Sequence, residues 1–427
     1  MIDPVLPAPA HGVDSLTVET VAIDNPGPLV SLLDRQQPLL WRRRGFGIAG
    51  HGVAARFEFS GATRMTDAAA TWRAVADAAT ITDPLALPGT GLVAFGSFSF
   101  SAGSAHASRL VVPAFVVGRA EERFWLTRIT VGPAPDEPLT AAMLPRVEAA
   151  TSAPHASFAD GALSSERYLG IVRDCIGAIR DGRLSKVVLA RDLTARLDAG
   201  ADIRPTIAAL AEGYPDCWTF AIDGFIGSSP ETLVSVHDGV ATARVLAGSA
   251  ARGTDATSDD EAATTLATSP KDQDEHEFAV QSVLASLRPH SRGVVASEVP
   301  FTLRLPNVWH LASDVEGVLD DGSTSLDLIQ ALHPTAAVAG TPTPDAMTLI
   351  DELEPFDRGP YAGPVGWVGA DGDGEWAIAL RSARVDSDGT VTAWAGAGIV
   401  ADSDPERELL ETRMKFKPVV DAFDPIA

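Results

Sequence analysis

The 427-residue sequence has few cysteines, few lysines and no long apolar run. Its two cysteines, Cys175 and Cys217, are too few for a disulfide framework, and no CxxC, HxH or HExxH spacing indicates a zinc site. No stretch approaches the roughly 18 apolar residues of a membrane-spanning helix. A GxxxxGK[ST] loop is also missing, which excludes a P-loop nucleotide site.

Positive charge is scarce as well, since the net charge is −24 and the basic residues cluster only at Arg42 to Arg44. This balance argues against nucleic acid and against anionic membrane surfaces as partners. It does not exclude an anionic small ligand, which needs only a local positive pocket or a metal ion. The first basic residue is Arg35, so the N-terminus does not resemble a secretory signal, and we expect a cytoplasmic protein.

The order of the elements indicates an α+β fold with large antiparallel sheets rather than a doubly wound parallel sheet. Short apolar runs between glycines and prolines predict strands from about 29 to 118. We expect a poorly ordered lead-in at 1–25 and a single large domain at 26–427. This domain comprises an N-terminal sheet portion, 26–150, and a second portion, 160–427, joined by a linker with one short helix.

The clearest helix is predicted at 165–180, with Ser164 or Ser165 as its cap and Gly182 at its end. Its apolar positions follow helical spacing: Tyr168, Ile171, Val172, Cys175, Ile176 and Ile179. Further helices are predicted at about 271–288, 324–332 and 405–417. Further strands are predicted at 217–227, 231–237, 241–246, 375–385 and 390–400.

Lys186 is one of four lysines, and every other basic residue is an arginine. A lysine kept in such a sequence favours a role for an amine that can lose its proton, because arginine stays charged. Lys186 opens the apolar run VVLA, which predicts a buried strand directly after the helix. A surface charge is the ordinary alternative for a single lysine.

An acidic helix start lies at 269–278, SPKDQDEHEF. We assign its apolar face to Phe278, Val283, Leu284 and Leu287, which places Glu275 on the inward side. An inward carboxylate needs a partner, and a hard cation such as Mg²⁺ is one candidate. The structural alternative is an acidic cluster that merely occupies a favourable helix N-terminus.

A second polar helix begins at Asp404, with Pro405 at its first position. Its polar stripe contains Glu408, Glu411, Thr412 and Lys415. These side chains can form an exposed series of salt bridges, or two carboxylates can face the same ion as Glu275.

Glu231 ends the tight turn GSSPE at 227–231, between two apolar strands. A glutamate held there can serve as a general acid if burial raises its pKa. Turns between strands also carry glutamates with no such role. His310 and His333 follow apolar residues, which is more typical of hydrogen-bonded core histidines than of ligands.

Taken together, these stretches resemble the chorismate-utilising enzymes, which include isochorismate, salicylate, anthranilate and aminodeoxychorismate synthases. The N-terminal part matches weakly, chiefly in GLVAFGSFSF. The family fold that the resemblance implies has large antiparallel sheets packed face to face, with helices outside. The resemblance rests on ordered motifs from about residue 160 to the end: SKVVLAR (185–191), GSSPETL (227–233), LAGSAARG (246–253), SPKDQDEHE (269–277), WHLASDVEG (309–317), LHPTAAVAGTP (332–342), FDRGPYAGPVGW (356–367), LRSA (380–383), AGAGIVADSDPERELLET (395–412) and Lys415.

Three positions resemble the isochorismate synthases within this family. Lys186 stands where the amine-using anthranilate synthases carry glutamine. Ala247 and Gly248 stand where aminodeoxychorismate synthases carry a reactive lysine, and Ala337 stands where salicylate synthases tend to have threonine. One departure is Ser249, where the family usually has threonine.

The resemblance implies that chorismate and water give isochorismate, in that water attacks C2 of the ring while the C4 hydroxyl leaves. Lys186 would take the proton from water, and Glu231 would protonate the departing hydroxyl. Glu275 and Glu411, with Glu408 beside them, would hold Mg²⁺. Contacts with the substrate are implied for Gly248, Ser249, His310, Ala337, Tyr361, Arg381, Gly396 and Lys415.

Three alternatives remain at this point. A salicylate synthase would perform the same first step and then eliminate pyruvate. An amine-using synthase would need a glutaminase partner, which Lys186 and Ala247 argue against. A catalytically silent chorismate-binding protein would have no need to keep base, acid and metal ligands together.

Overall fold

Two large β-sheets, of thirteen and ten strands, form the centre of the protein in a computed structural model that describes residues 15–150, 153–306 and 308–424. Among these described residues every strand pair is antiparallel except β1 with β5, at Leu16–Ile23 and Thr80–Thr82. The predicted α+β class with large antiparallel sheets is therefore confirmed. One hydrophobic cluster contains side chains of both sheets, such as Trp41 and Trp376.

The larger sheet runs in the order β10-β11-β23-β22-β13-β12-β2-β3-β8-β9-β1-β5, with β19 beside β11. Besides β1 and β5, its strands are β2 (Leu39–Arg43), β3 (Phe46–His51), β8 (Phe115–Ala120), β9 (Arg123–Val131), β10 (Ala159–Asp160), β11 (Lys186–Arg196), β12 (Trp218–Ile222), β13 (Phe225–Ser229), β19 (Gly340–Thr341), β22 (Ser382–Val385) and β23 (Thr390–Ile399).

The smaller sheet runs in the order β16-β18-β15-β14-β21-β20-β6-β7-β4, with β17 also beside β18. Its strands are β4 (Ala55–Phe59), β6 (Val93–Ser97), β7 (Ser108–Val112), β14 (Thr232–His237), β15 (Val240–Ala251), β16 (Ser291–Ala296), β17 (Phe301–Arg304), β18 (Val308–Leu319), β20 (Pro364–Gly369) and β21 (Gly374–Ile378).

The α-helices of the described residues are α1 (Arg64–Ala78), α2 (Ser165–Arg180), α3 (Arg204–Gly213), α4 (Ala256–Thr268), α5 (Pro270–Leu287), α6 (Ser325–Leu332), α7 (Thr343–Leu353) and α8 (Pro405–Ala422). Helix α2 has the predicted bounds, because Ser164 caps it and its predicted apolar face is buried. Helices α5 and α6 also lie within a residue of their predicted positions.

Both sheets combine strands from the two portions of the chain, which form two blocks that meet at a single junction in each sheet. In the larger sheet β2 pairs with β12, and in the smaller sheet β6 pairs with β20. The segment between the portions contains one short 3-10 turn, Ala141–Met143, where a short helix was expected. Neither portion has a sheet of its own within the described residues.

The expected lead-in at 1–25 is wrong for its last third. Leu16–Ile23 forms β1, because Leu16, Val18 and Thr20 alternate toward the core and pair with β9. Residues 1–14 lie outside the described residues.

The assignment of Phe278 to the inward face of α5 is also wrong, since this residue is 71% exposed. The buried stripe instead begins with His276 and continues through Ala279, Val280, Val283, Leu284 and Leu287. In the described part of the chain, no helix combines the length and the apolar character needed to cross a membrane.

Candidate active site

A cavity of about 230 Å³ lies where both sheets meet α5 and α8. It is lined by every residue to which the family resemblance gives a role: Lys186, Glu231, Gly248, Ser249, Glu275, His310, Ala337, Tyr361, Arg381, Gly396, Glu408, Glu411 and Lys415. These residues are spread along the chain from Lys186 to Lys415. The fold, rather than local sequence, therefore brings them together.

Lys186 is the first residue of β11, which lies between β19 and β23. Its side chain runs over Gly398 of β23, where an added Cβ would lie 3.0 Å from the Lys186 Cε atom. Lys186 Nζ donates to Glu275 Oε1 of α5 at 2.5 Å, and its side chain is only 14% exposed. The strand therefore holds a largely buried amine beside a carboxylate.

Glu231 lies where the chain crosses from the larger sheet to the smaller one, between β13 and β14. Its backbone is fixed on both sides, since its N–H donates to Ser229 Oγ and its carbonyl accepts from the Ile378 N–H. The side chain is buried. Burial raises the pKa of Glu231 from 4.5 to about 8, against the opposing effect of Arg381, Lys186 and Lys415. This carboxyl group therefore holds a proton at neutral pH.

Arg381 supplies a buried positive charge directly before β22. Its φ angle of 50° is unusual for a residue with a Cβ, so the surrounding structure must hold it there. Within the described residues its guanidinium has no ion-pair partner, although burial lowers its pKa. A buried charge without a partner is costly, so this group is suited to an anionic ligand.

Tyr361 and Lys415 flank the Gly396 backbone of β23. Lys415 Nζ donates to the Gly396 carbonyl at 2.9 Å and pairs with Glu411 Oε1 at 2.6 Å. The Tyr361 ring stacks on Trp394, and burial raises the pKa of its hydroxyl to about 12. Tyr361 therefore remains a neutral hydroxyl throughout the physiological range.

A β-bulge in β15 shapes another wall of the cavity, because the register with β18 shifts between Leu246 and Ser249. Gly248 lies in the bulge with a φ angle of 82°, a conformation that glycine adopts without strain. His310 of β18 lies opposite Ser249, and its Nδ1 is 2.9 Å from Ser249 Oγ. Burial, with Arg381 and Lys415 nearby, lowers the pKa of His310 to about 3, so its imidazole is neutral.

The carboxylates of Glu275, Glu408 and Glu411 offer only oxygen donors, which suits Mg²⁺. The carboxylate oxygens of these three glutamates do not all lie within 4.8 Å of one another. Among the described residues, the group whose potential ligand atoms lie that close together is His237, Asp238 and Asp373, near the surface. Mg²⁺ usually takes one or two protein carboxylates and keeps waters and substrate oxygens as its other ligands. A widely spaced set of carboxylates that lines a cavity therefore fits this ion.

Sequence reasoning missed three residues around the cavity. Asp272 of α5 adds a further carboxylate to its lining, near Gly248. His276 ties α5 to the bulge, since its Nδ1 donates to the Ala247 carbonyl at 3.1 Å and its Nε2 lies 2.8 Å from Ser313 Oγ. The SPKDQDEHE motif contained both residues, but the partners that explain them lie on distant strands.

Arg358, the third missed residue, forms a buried ion pair with Glu354. Its guanidinium also donates to the carbonyls of Val338 and Val188. Glu354 in turn accepts from the Ala190 N–H at 2.7 Å. This pair therefore ties β11 to the segment that carries Ala337. His333, by contrast, lies outside the cavity lining and its Nε2 is 2.9 Å from the Phe100 carbonyl oxygen, as expected for a core histidine.

Comparisons with known proteins identify the relatives of this chain. A profile of the family described as chorismate binding enzyme matches residues 14–424. Isochorismate synthase DhbC of Bacillus subtilis is 39% identical over 270 residues, which cover 60% of this chain and 68% of the relative. The putative isochorismate synthase MenF of Mycobacterium tuberculosis is 35% identical over 348 residues, covering 78% of this chain and 87% of the relative.

The fold is also similar to solved structures. The crystal structure of the putative 2,3-dihydroxybenzoate-specific isochorismate synthase DhbC from Bacillus anthracis has a TM-score of 0.75 at 30% identity, covering 93% of this chain and 98% of that one. The menaquinone-specific isochorismate synthase MenF from Escherichia coli has a TM-score of 0.77 at 24% identity, covering 96% and 95%. The second likeness concerns the fold alone.

Proposed function

This chain belongs to the chorismate binding enzyme family, and we propose that within it the protein is an isochorismate synthase. In the proposed reaction water adds at C2 of chorismate, the ring double bonds shift, and the C4 hydroxyl leaves as water. One water enters and one leaves, so no oxidant, reductant or amine is needed. The observation that carries the proposal is a single cavity that holds both the amine of Lys186 and the protonated carboxyl of Glu231.

The positive charges of the cavity account for binding of a dianionic substrate by a protein whose net charge is −24. Arg381 is the best placed, because it is buried and has no carboxylate partner among the described residues. We assign the enolpyruvyl carboxylate to Arg381, Tyr361 and the backbone near Gly396. Gly248, Ser249 and Ala337 would then place the ring, and Lys415 would add charge beside Glu411.

Glu231 is the proposed general acid. At neutral pH it holds the proton that the departing C4 hydroxyl requires, because burial keeps its carboxyl group neutral. Removal of that proton leaves a carboxylate near Arg381, Lys186 and Lys415, whose charges stabilise it. His310 faces the same cavity as a neutral imidazole and is assigned to the ring carboxylate or the leaving hydroxyl.

Lys186 is the proposed general base toward water. In the structure its Nζ donates to Glu275 Oε1. An ammonium group has no lone pair, so the amine must release a proton before it can accept one from water. Glu275 is thus connected to the base as well as to the proposed metal site.

Glu275, Glu408 and Glu411 are the proposed ligands of Mg²⁺. When bound, the ion would supply a positive charge that holds the ring carboxylate. Without a cation these carboxylates would repel a dianion, which supports their assignment as ligands of a cation.

The proposal is tested by incubating the purified protein with chorismate and Mg²⁺, without ammonia or glutamine, and separating the products. We expect isochorismate alone, and no conversion after a chelator removes the metal. Salicylate with pyruvate would show a second elimination step despite Ala337. Conversion that requires ammonium would refute the role of Lys186 and indicate an amine-using synthase.

A further inference from the structure

The orientation of His310 in the cavity is set by two groups of the β15 bulge. Its Nδ1 lies 2.9 Å from Ser249 Oγ and 3.4 Å from the Gly248 carbonyl oxygen. Its Nε2 is buried and has no hydrogen-bond partner within the described residues. The ring is therefore fixed at one nitrogen, and the other nitrogen remains for a ligand in the cavity that His310 lines.

The imidazole carries a single proton, because burial, Arg381 and Lys415 keep it neutral. That proton is on either Nδ1 or Nε2, and the neighbour of Nδ1 decides which. A carbonyl oxygen can only accept a hydrogen bond, whereas a serine hydroxyl can donate or accept. The Gly248 carbonyl is beyond the usual range of about 2.7–3.2 Å for an N–H···O bond, whereas Ser249 Oγ is within it.

We propose that Ser249 is a positioning residue whose hydroxyl donates to Nδ1 of His310 and so holds the tautomer with Nε2–H directed into the cavity. The proposal rests on the proposed function, because it takes the ligand to be the dianion chorismate. Nε2–H would donate to an anionic or departing oxygen of that substrate. The opposite tautomer would present a lone pair to those oxygens and repel them.

Substitution at Ser249 distinguishes the two tautomers. In Ser249→Ala the Gly248 carbonyl is the polar group left beside Nδ1, and it cannot donate. The proton is then expected on Nδ1, and Nε2 becomes an acceptor. Ser249→Thr keeps the hydroxyl on Cβ and is the matched variant that should restore the original tautomer.

The test is nitrogen NMR of the full chain labelled with ¹⁵N-histidine, with Mg²⁺ and without substrate. The nine histidines are distinguished by comparison with a His310→Gln sample. We expect the Nε2–H tautomer at His310 in the native protein and in Ser249→Thr, and the Nδ1–H tautomer in Ser249→Ala. An Nδ1–H tautomer in the native protein, or the same tautomer in all three, would overturn the proposal.

Kinetics supply the second readout. Loss of one preorganised donor to the transition state typically costs about 10²–10³ in kcat. We expect a loss of about 10²-fold in Ser249→Ala and recovery in Ser249→Thr; equal activity in both would contradict the proposal. The NMR measurement needs no turnover, so it tests the tautomer independently of the proposed function. A native protein without isochorismate synthase activity would refute the proposed function alone.

Discussion

Titration of Glu231 is the sharpest prediction, because its proton is needed for the proposed reaction. Its pKa of about 8 lies about 3.5 units above the usual 4.5. At 1.36 kcal/mol per unit, ionising this buried carboxyl costs about 5 kcal/mol more than in water. The protonated fraction should be about 0.9 at pH 7 and about 0.1 at pH 9.

The measurement is an infrared pH titration that follows the carbonyl band of protonated carboxyl groups. We expect a component with a midpoint near pH 8 that Glu231→Gln lacks. This variant also identifies the band, since burial raises the pKa of Glu375 too. A titrating component of Glu231 near its usual value of 4.5 would refute the reasoning, and so would an unchanged titration in Glu231→Gln.

The free energy of unfolding should also depend on the titration of Glu231. Between pH 4.5 and about 8 the unfolded chain has lost the Glu231 proton while the folded protein retains it, so the free energy of unfolding falls as pH rises. Above about pH 8 this contribution levels off, after a loss of up to about 5 kcal/mol. Glu231→Gln should therefore unfold at higher denaturant concentration than the native protein at pH 9, and this advantage should vanish near pH 4.5. An equal difference at both pH values would contradict the account.

Three further predictions concern the base and its support. Lys186→Arg should fold normally but lose at least about 10²-fold in kcat, the usual contribution of a general base; full activity would reject this role, and Lys417→Arg on the exposed side of α8 is the matched control. Gly398→Ala should lower kcat without unfolding the protein, because the new Cβ would lie 3.0 Å from the Lys186 Cε atom; an unchanged rate would show that the lysine has room to shift. Glu354→Gln should lower the free energy of unfolding by about 3–5 kcal/mol, because Arg358 would remain buried without its carboxylate; an unchanged urea midpoint would contradict this.

The sequence pattern was sufficient to predict an element whose bounds depend on its own residues. Helix α2 shows this best, because its apolar spacing and its Ser164 cap lie within one continuous stretch. The Asp-Gly pairs at 238–239 and 388–389 are likewise typical of hairpin turns, and these turns join β14 to β15 and β22 to β23. Helices α1 and α4 were missed. Helix α1 buries Met65, Ala68, Ala69, Trp72 and Val75 at helical spacing, within the range 29–118 for which only strands were predicted, whereas α4 buries only Asp259 and Leu266.

Elements that depend on distant partners were misread. The buried face of α5 was predicted to include the apolar residue Phe278. In the structure His276 is buried instead, and its two ring nitrogens have hydrogen-bond partners in the Ala247 carbonyl and the Ser313 hydroxyl. Helix α8, predicted at about 405–417, continues to Ala422, and Pro418, Val419 and Ala422 in its last turn are buried.

The candidate site was predicted residue by residue, but through its resemblance to a family rather than through spacing. Composition and pattern gave each carboxylate an ordinary structural explanation. What the sequence could not provide was the pairing of Lys186 with Glu275, because those residues lie on different elements 89 positions apart. The state of the proposed base is therefore a property of the assembled cavity.

An isotope measurement tests whether a water molecule activated at Lys186 attacks C2 of chorismate. The native protein is incubated with chorismate and Mg²⁺ in H₂¹⁸O, and the product is analysed by mass spectrometry at early times. We expect isochorismate with one ¹⁸O, in the C2 hydroxyl, and no labelled product from Lys186→Arg. Isochorismate without the label would show that the C4 hydroxyl moves within the molecule and would contradict the claim.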